Sequence, residues 1–125
     1  MKVKETQLCD LLPRISIALV HSNEKARCYL GKYGVDAELG SQGARTVSFS
    51  NGCETKNLVI MHDRGGEPEQ QYALLAHEAV HVAQRYFEDI GEEDPSEELR
   101  AYAVQAVTQH LVYEHTEWLK KRKKY

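Results

Sequence analysis

Two histidines and a glutamate in the second half of the chain have the spacing of a metal site. His77, Glu78 and His81 form a His-Glu-x-x-His motif. On an α-helix, side chains four positions apart lie on one face with β-carbons about 6 Å apart, so both imidazoles can bind one metal ion. Two neutral imidazoles favour zinc, which then needs a third protein ligand and an open position for water. Glu78 projects about 100° away from His77, so it can reach a metal-held water as a general base more easily than it can join the ligands.

The third ligand has to come from outside this motif. Glu88 lies on the same helix face, but it is about 10 Å along the axis from His81 and cannot reach the same ion. Glu97 and Glu98 follow His81 by 16 and 17 residues and open the next helical pattern. A turn between the two helices would bring that pattern back beside the first. On the second helical pattern, Glu98 lies on a polar stripe with two glutamines, and Glu97 projects about 100° away from Glu98. The spacing leaves both glutamates as candidates for the third ligand.

Two long helical patterns carry these residues. The first covers about 68–90, with a proline in its first turn, and Gly91 ends it. Its apolar residues gather on one broad arc, and His77 and His81 lie on the opposite, polar side. Such a helix can pack its back into a core while its imidazoles face a cleft. The second pattern covers about 96–120 and begins with a serine whose hydroxyl can cap it.

The first half of the chain predicts one helical region and a small sheet. Apolar residues over about 10–32 recur mostly at intervals of three and four, which predicts one helix or two short ones broken near 21–23. Three later stretches, at 35–39, 45–50 and 57–62, have the alternation or the branched apolar residues of short strands. Because their connections are too short for helical crossovers, we expect an antiparallel sheet.

These elements and the composition predict a single α+β domain over residues 1–125. The N-terminal helix precedes a sheet of about three strands, with a turn at Asn51 and Gly52, and the motif helix packs against the C-terminal helix. The chain is 42 % apolar and 28 % charged, as soluble globular domains are. No apolar stretch approaches the ~20 residues of a membrane helix. Three widely spaced cysteines and a start without a secretory pattern favour reduced thiols and a cytoplasmic location.

Charge is unevenly distributed along a chain whose net charge is -3. Seven carboxylates lie within 88–98, and five basic residues lie at 120–124. Runs of this kind are typical of a solvated loop and a helix end. The basic run has few interleaved aromatic residues, which disfavours a nucleic-acid-binding protein.

The motif and the residues that follow it resemble a known family. His-Glu-x-x-His at 77–81, followed by Glu98-Leu-Arg-Ala-Tyr102, resembles the signature of gluzincin-type zinc metallopeptidases. The short form, with its flanking Glu-Asp-Pro-Ser-Glu-Glu and Ala-Tyr-Ala-Val-Gln segments, resembles the small metallopeptidases of bacteriophages and prophages, and the resemblance covers roughly 58–112. It implies a minimal zincin-like fold.

The resemblance also implies roles for individual residues. It assigns zinc binding to His77, His81 and Glu98, which favours Glu98 over Glu97, and it assigns activation of water to Glu78. Tyr102 stands where many gluzincins carry an acidic residue that supports a histidine ligand, so the surroundings of the ligands must be built differently here.

Peptide hydrolysis is the reaction that the resemblance implies. The strand at 57–62, just before the motif helix, would then be the sheet edge that binds an extended peptide or protein substrate. A donor for the oxyanion is usually needed as well, and His62, Tyr102, His110 and Tyr113 are the candidates. The alternative is a catalytically inactive, metallopeptidase-like phage accessory or binding protein, because so small a chain has little room for a substrate-binding lobe.

Overall fold

The structure is a computed structural model that describes residues 3–7, 15–40, 43–62 and 66–122. In chain order the elements are β1 (Thr6–Gln7), β2 (Ile15–Val20), α1 (Asn23–Lys32), β3 (Ala44–Asn51), β4 (Glu54–Met61), α2 (Pro68–Asp89) and α3 (Glu97–Arg122). Helices and a four-stranded sheet in these ranges confirm the predicted α+β class. No helix of the described ranges is long and apolar enough to cross a membrane.

The sheet is mixed, which corrects the expected antiparallel sheet of about three strands. The strand order is β1-β2-β4-β3. β1 pairs antiparallel with β2, and β3 pairs antiparallel with β4, whereas β2 and β4 are parallel. Parallel neighbours need a crossover of about a dozen residues or more, and the chain between β2 and β4 contains both α1 and β3. The antiparallel expectation failed because β2 was not recognised as a strand.

The predicted helix over 10–32 is wrong in its first half. Ile15–Val20 is a strand, and α1 begins only at Asn23, where the Ser22 hydroxyl accepts a helix backbone N–H at 3.2 Å. Of the two short helices in the alternative prediction, broken near 21–23, the described residues contain only the second, which is α1. Residues 10–14 lie outside the described ranges. β2 is covered on both faces, so apolar side chains occupy consecutive positions. Such a run has no period of two, and periodicity alone does not distinguish it from a buried helix.

The predicted strand over 35–39 belongs to no strand or helix. Val35, Ala37 and Leu39 are partly buried against the core between α1 and the sheet, while the acidic residues between them are exposed. The alternation therefore reflects the burial of one side of this segment. It does not come from pairing with a neighbouring strand.

β3 and β4 confirm the strands predicted at 45–50 and 57–62, and they form a hairpin. Its loop consists of Gly52 and Cys53, and Gly52 has a φ of 66°, which favours glycine. β4 lies between β2 and β3, so it is an internal strand. The expectation that the strand at 57–62 forms the sheet edge is therefore wrong, and the edge on this side is β3.

α2 and α3 confirm the two predicted long helices and cover one face of the sheet. Leu75 and Val82 of α2 and Val107 of α3 are fully buried in the core on this face. Gly91, with a φ of 74°, follows the end of α2, and the Ser96 hydroxyl accepts the backbone N–H of the first turn of α3 at 3.1 Å. α2 lies against β3 and β4, so the motif helix runs beside the open edge of the sheet.

Candidate metal centre

The two motif histidines bring one nitrogen each close together. The Nε2 atoms of His77 and His81 lie 3.3 Å apart, and both residues are exposed. Imidazole nitrogens bind zinc at about 2.0–2.1 Å, so two of them at a tetrahedral angle lie about 3.3–3.4 Å apart. These two donors therefore fit a shared zinc ion in both chemistry and spacing.

Glu78 is buried although it carries a carboxylate; it is only 4 % exposed. Its Oε1 atom accepts a hydrogen bond from the Thr46 hydroxyl at 2.8 Å, and its Oε2 atom lies 4.0 Å from Nε2 of His77. Burying a carboxylate without a partner is unfavourable, and Thr46 supplies a donor. One carboxylate oxygen is thus held by β3 while the other lies beside the histidine pair, an arrangement that suits a proton acceptor next to the ligands.

A cleft of about 430 Å³ opens at these residues between α2 and β3. It is lined by Ala44, Arg45, Thr46, Ser48, His77, Glu78, His81 and Arg85. Sequence reasoning missed Thr46, Ser48 and Arg85. Thr46 and Ser48 are two positions apart on a strand and so share a face, and Arg85 lies one helical turn after His81. These spacings indicate a shared cleft only when β3 is known to lie beside α2.

A larger groove, of about 710 Å³, lies between the end of α2 and the start of α3. Phe87 and Val104 contribute to its lining, together with exposed glutamates at 88, 92 and 93. His77, Glu78 and His81 do not line it. The smaller cleft, which contains both imidazoles and the buried carboxylate, is therefore the candidate site.

Backbone groups of alternate β3 residues point outward from the sheet beside this cleft. The His62 N–H donates to the Gly43 carbonyl at 3.0 Å, and these residues lie opposite each other one step beyond the β3–β4 register. Hydrogen-bonded and non-hydrogen-bonded pairs alternate along an antiparallel ladder. Ala44, Thr46 and Ser48 consequently direct their N–H and C=O groups away from β4, where another strand can pair with them.

Arg85 contacts the outward-facing backbone groups of β3 at Ser48. Its Nη1 donates to the Ser48 carbonyl at 3.3 Å, and its Nε donates to Oδ1 of Asp89 at 3.0 Å. The other oxygen of Asp89 accepts a hydrogen bond from the Thr55 hydroxyl of β4. The guanidinium is therefore fixed between α2 and the sheet, with its side chain 34 % exposed.

Neither predicted glutamate joins the histidine pair. Among the described residues, no three His, Cys, Asp or Glu side chains are grouped to hold one metal ion. Glu97 and Glu98 are exposed in the first turn of α3. Val80 and Val104 both line the groove between α2 and α3, and Glu98 lies six residues before Val104, about 9 Å along the axis of α3. Glu98 as third ligand stays a prediction that requires the start of α3 to approach His81.

None of the four candidate oxyanion donors lines the cleft. Nε2 of His62 lies 2.8 Å from the side-chain oxygen of Asn23. Tyr102 and Tyr113 are exposed on α3. Burial lowers the pKa of His110. The donor therefore stays unidentified among these four.

A second histidine pair lies away from the cleft, at the end of β2. Nε2 of His21 is 3.0 Å from Nδ1 of the buried His115, whose Nε2 is 2.8 Å from the side-chain oxygen of Gln71. The His21 ring also stacks on Trp118 with 3.6 Å between centroids. Burial, and then the neighbouring His115, lower the pKa of His21 to about 3. Sequence reasoning did not find this pair, because 94 residues separate its members.

The cleft combines three chemical capacities. Its paired imidazoles can bind a metal ion, its buried carboxylate can accept a proton, and the outward backbone groups of β3 can pair with an extended chain. Neither a protein-family model, nor a curated protein, nor a solved structure matches this chain.

Proposed function

We propose that this chain is a zinc-dependent metallopeptidase that hydrolyses a peptide bond in the cleft between α2 and β3. The observation that carries the proposal is the 3.3 Å separation of the His77 and His81 Nε2 atoms beside the buried Glu78. Two imidazole donors at the edge length of a zinc tetrahedron, with a carboxylate next to them, are the parts that metal-assisted hydrolysis needs. His77, His81 and Glu98 are the proposed ligands.

When bound, zinc would lower the pKa of a coordinated water towards ~7 and polarise the scissile carbonyl. The chain's own residues have distinct tasks. Glu78 accepts the proton of the attacking water through Oε2 and delivers it to the leaving amine. Thr46 holds Oε1 by its 2.8 Å hydrogen bond, which fixes the direction of the carboxylate.

The proposed substrate is a peptide in extended conformation. The outward N–H and C=O groups of Ala44, Thr46 and Ser48 can bind its main chain as an added strand. Thr46 then has two tasks, because its hydroxyl orients Glu78 while its backbone binds the substrate. This coupling would place the scissile bond beside the base without further residues.

A binding protein that keeps the cleft but does not cleave its ligand is the second candidate. The observation that favours it is the exposed position of Glu98, outside any grouping with the histidines in the described part of the chain. Such a protein would bind an extended peptide along β3 and show no turnover.

Elemental analysis and a peptide-cleavage screen test both candidates together. The purified protein, His77→Ala and Glu78→Gln are compared for zinc content and for cleavage of a mixed peptide library read by mass spectrometry. We expect about one zinc per chain in the wild type and in Glu78→Gln, none in His77→Ala, and cleavage by the wild type alone. Zinc without cleavage would favour the binding protein, and failure to take up zinc would overturn the metallopeptidase.

A further inference from the structure

Arg85 has hydrogen-bonding capacity that its structural contacts do not use. A guanidinium carries five N–H donors. Within the described part of the chain, its hydrogen bonds are those to Asp89 and to the Ser48 carbonyl, at 3.0 and 3.3 Å. The remaining donors belong to Nη1 and Nη2. These two nitrogens form the edge of the guanidinium that matches a carboxylate in two parallel hydrogen bonds.

Arg85 lies where a ligand in the cleft can reach its guanidinium. Arg85 lines the cleft together with His81, one helical turn away on the same face of α2. The contact of its Nε with Asp89 prevents the side chain from extending freely into solvent. The β-carbons of Arg85 and His81 are about 6 Å apart on the helix, and the bonds to Asp89 and Ser48 hold the guanidinium in place.

Arg85 also limits how far a strand can pair along β3. The Ser48 carbonyl is one of the outward acceptors of β3, and the guanidinium already donates to it. A peptide that pairs with Ala44 and Thr46 meets the Arg85 guanidinium where it would next reach the Ser48 carbonyl. The group that the peptide presents at this point lies beside Arg85.

We propose that Arg85 is a specificity-determining residue that binds a carboxylate of the peptide substrate at the Ser48 end of the cleft. The inference rests on the proposed function, since it assumes an extended peptide along β3. The carboxylate has two sources, the free C-terminus of the peptide or the side chain of an Asp or Glu. Recognition by a paired, fixed guanidinium selects either of them over a neutral group.

Equilibrium binding tests this role without requiring turnover. Zinc-loaded Glu78→Gln protein is titrated with fluorescein-labelled Ala-Val-Ala-Val-Ala in three forms, and anisotropy is recorded. The forms are the free acid, the C-terminal amide, and the amide with Glu replacing one residue at each position in turn. We expect at least one carboxylate form to bind ten or more times more tightly than the amide.

The Arg85 variants then assign the preference. In the same background, Arg85→Gln should reduce the acid-to-amide affinity ratio to about one while amide binding changes less than threefold, and Arg85→Lys should keep part of the ratio. Arg45→Gln, which changes the other arginine lining the cleft, is the matched control and should keep the ratio. A ratio that survives Arg85→Gln, or that is lost in Arg45→Gln instead, overturns the proposal. A purely structural Arg85 would weaken all peptides equally, which also overturns it.

A spectroscopic readout covers the case in which Arg85→Gln does not fold. The arginine Nε–H resonances of ¹⁵N-labelled Glu78→Gln protein, assigned with Arg85→Lys, are followed during titration with the best carboxylate peptide and its amide. The Arg85 signal should move only with the carboxylate. Absence of binding by every peptide overturns the inference, whereas binding without cleavage by the wild type would overturn only the peptidase activity.

Discussion

The hydrogen bond from Thr46 to Glu78 should make a large contribution to stability, because its acceptor is a buried carboxylate. Thr46→Val removes the donor while keeping the shape of the side chain. Glu78 is 4 % exposed and the bond is 2.8 Å long. Loss of a hydrogen bond to a buried charged group costs about 1.5–3 kcal/mol. For a chain of 125 residues, each kcal/mol corresponds to about 4 °C in Tm, so we expect Tm to fall by about 6–12 °C.

A double-mutant cycle separates this hydrogen bond from the effect of the exchange itself. Thr46→Val, Glu78→Met and the double variant are unfolded in urea at pH 7, and Thr116→Val on α3 reports the cost of a threonine-to-valine change elsewhere. Replacing both partners by apolar groups removes the unpaired carboxylate. Thr46→Val should therefore be much less destabilising in the Glu78→Met background, with a coupling of about 1 kcal/mol or more.

Two results would refute the reasoning. The first is a Thr46→Val variant that is no less stable than Thr116→Val. The second is a cycle in which the two changes add within about 0.5 kcal/mol. Either would mean that Thr46 does not hold Glu78, and the proposed orientation of the base would lose its support.

The remaining predictions concern the metal site and the histidine pair. Glu78→Gln should keep zinc and lose hydrolysis, and loss of zinc on elemental analysis would make Glu78 a ligand. Glu98→Ala should weaken zinc binding in a competition titration more than Glu97→Ala does. The reverse result would make Glu97 the third ligand. Since the pKa of His21 falls from 6.5 to about 3 on folding, the unfolded chain binds the proton first, and stability falls as pH drops below 6.5. The loss should reach about 2 kcal/mol at pH 5, measured by urea unfolding, and His21→Phe should reduce it.

The elements that could be predicted from sequence are those with strong local signals. α2 and α3 each contain several turns of helical periodicity, with a proline, a glycine or a capping serine at their ends. The β3–β4 hairpin has a glycine in its two-residue loop. In each case the signal lies in residues that are close together in the sequence, so a single sequence is sufficient to predict the element.

The errors involve information from distant residues. Ile15–Val20 is a strand because β4 pairs with it in parallel and layers cover both of its faces. Its apolar run alone fits a helix equally well. The segment 35–39 alternates because the core lies on one side of it, and alternation does not reveal whether a partner strand is present.

The candidate site also contains features that local spacing predicts and features that depend on distant residues. Spacing on one helix predicted that His77 and His81 share a face, and their Nε2 atoms lie 3.3 Å apart. Thr46 reaches Glu78 from a strand 32 residues earlier, which no local pattern indicates. The position of Glu98 depends on how far α3 is displaced along α2, and that displacement is set by the packing of both helices.

The location of the cleft also bears on whether a chain of this size can act on peptides. A separate substrate-binding lobe is one way to hold a peptide, and it needs residues of its own. An edge strand needs none, because its backbone groups are already present and half of them point away from the sheet. Thr46 lies on that edge and contacts the buried Glu78. Because substrate binding and orientation of the base can thus share one strand, small size is a weak argument against a peptidase.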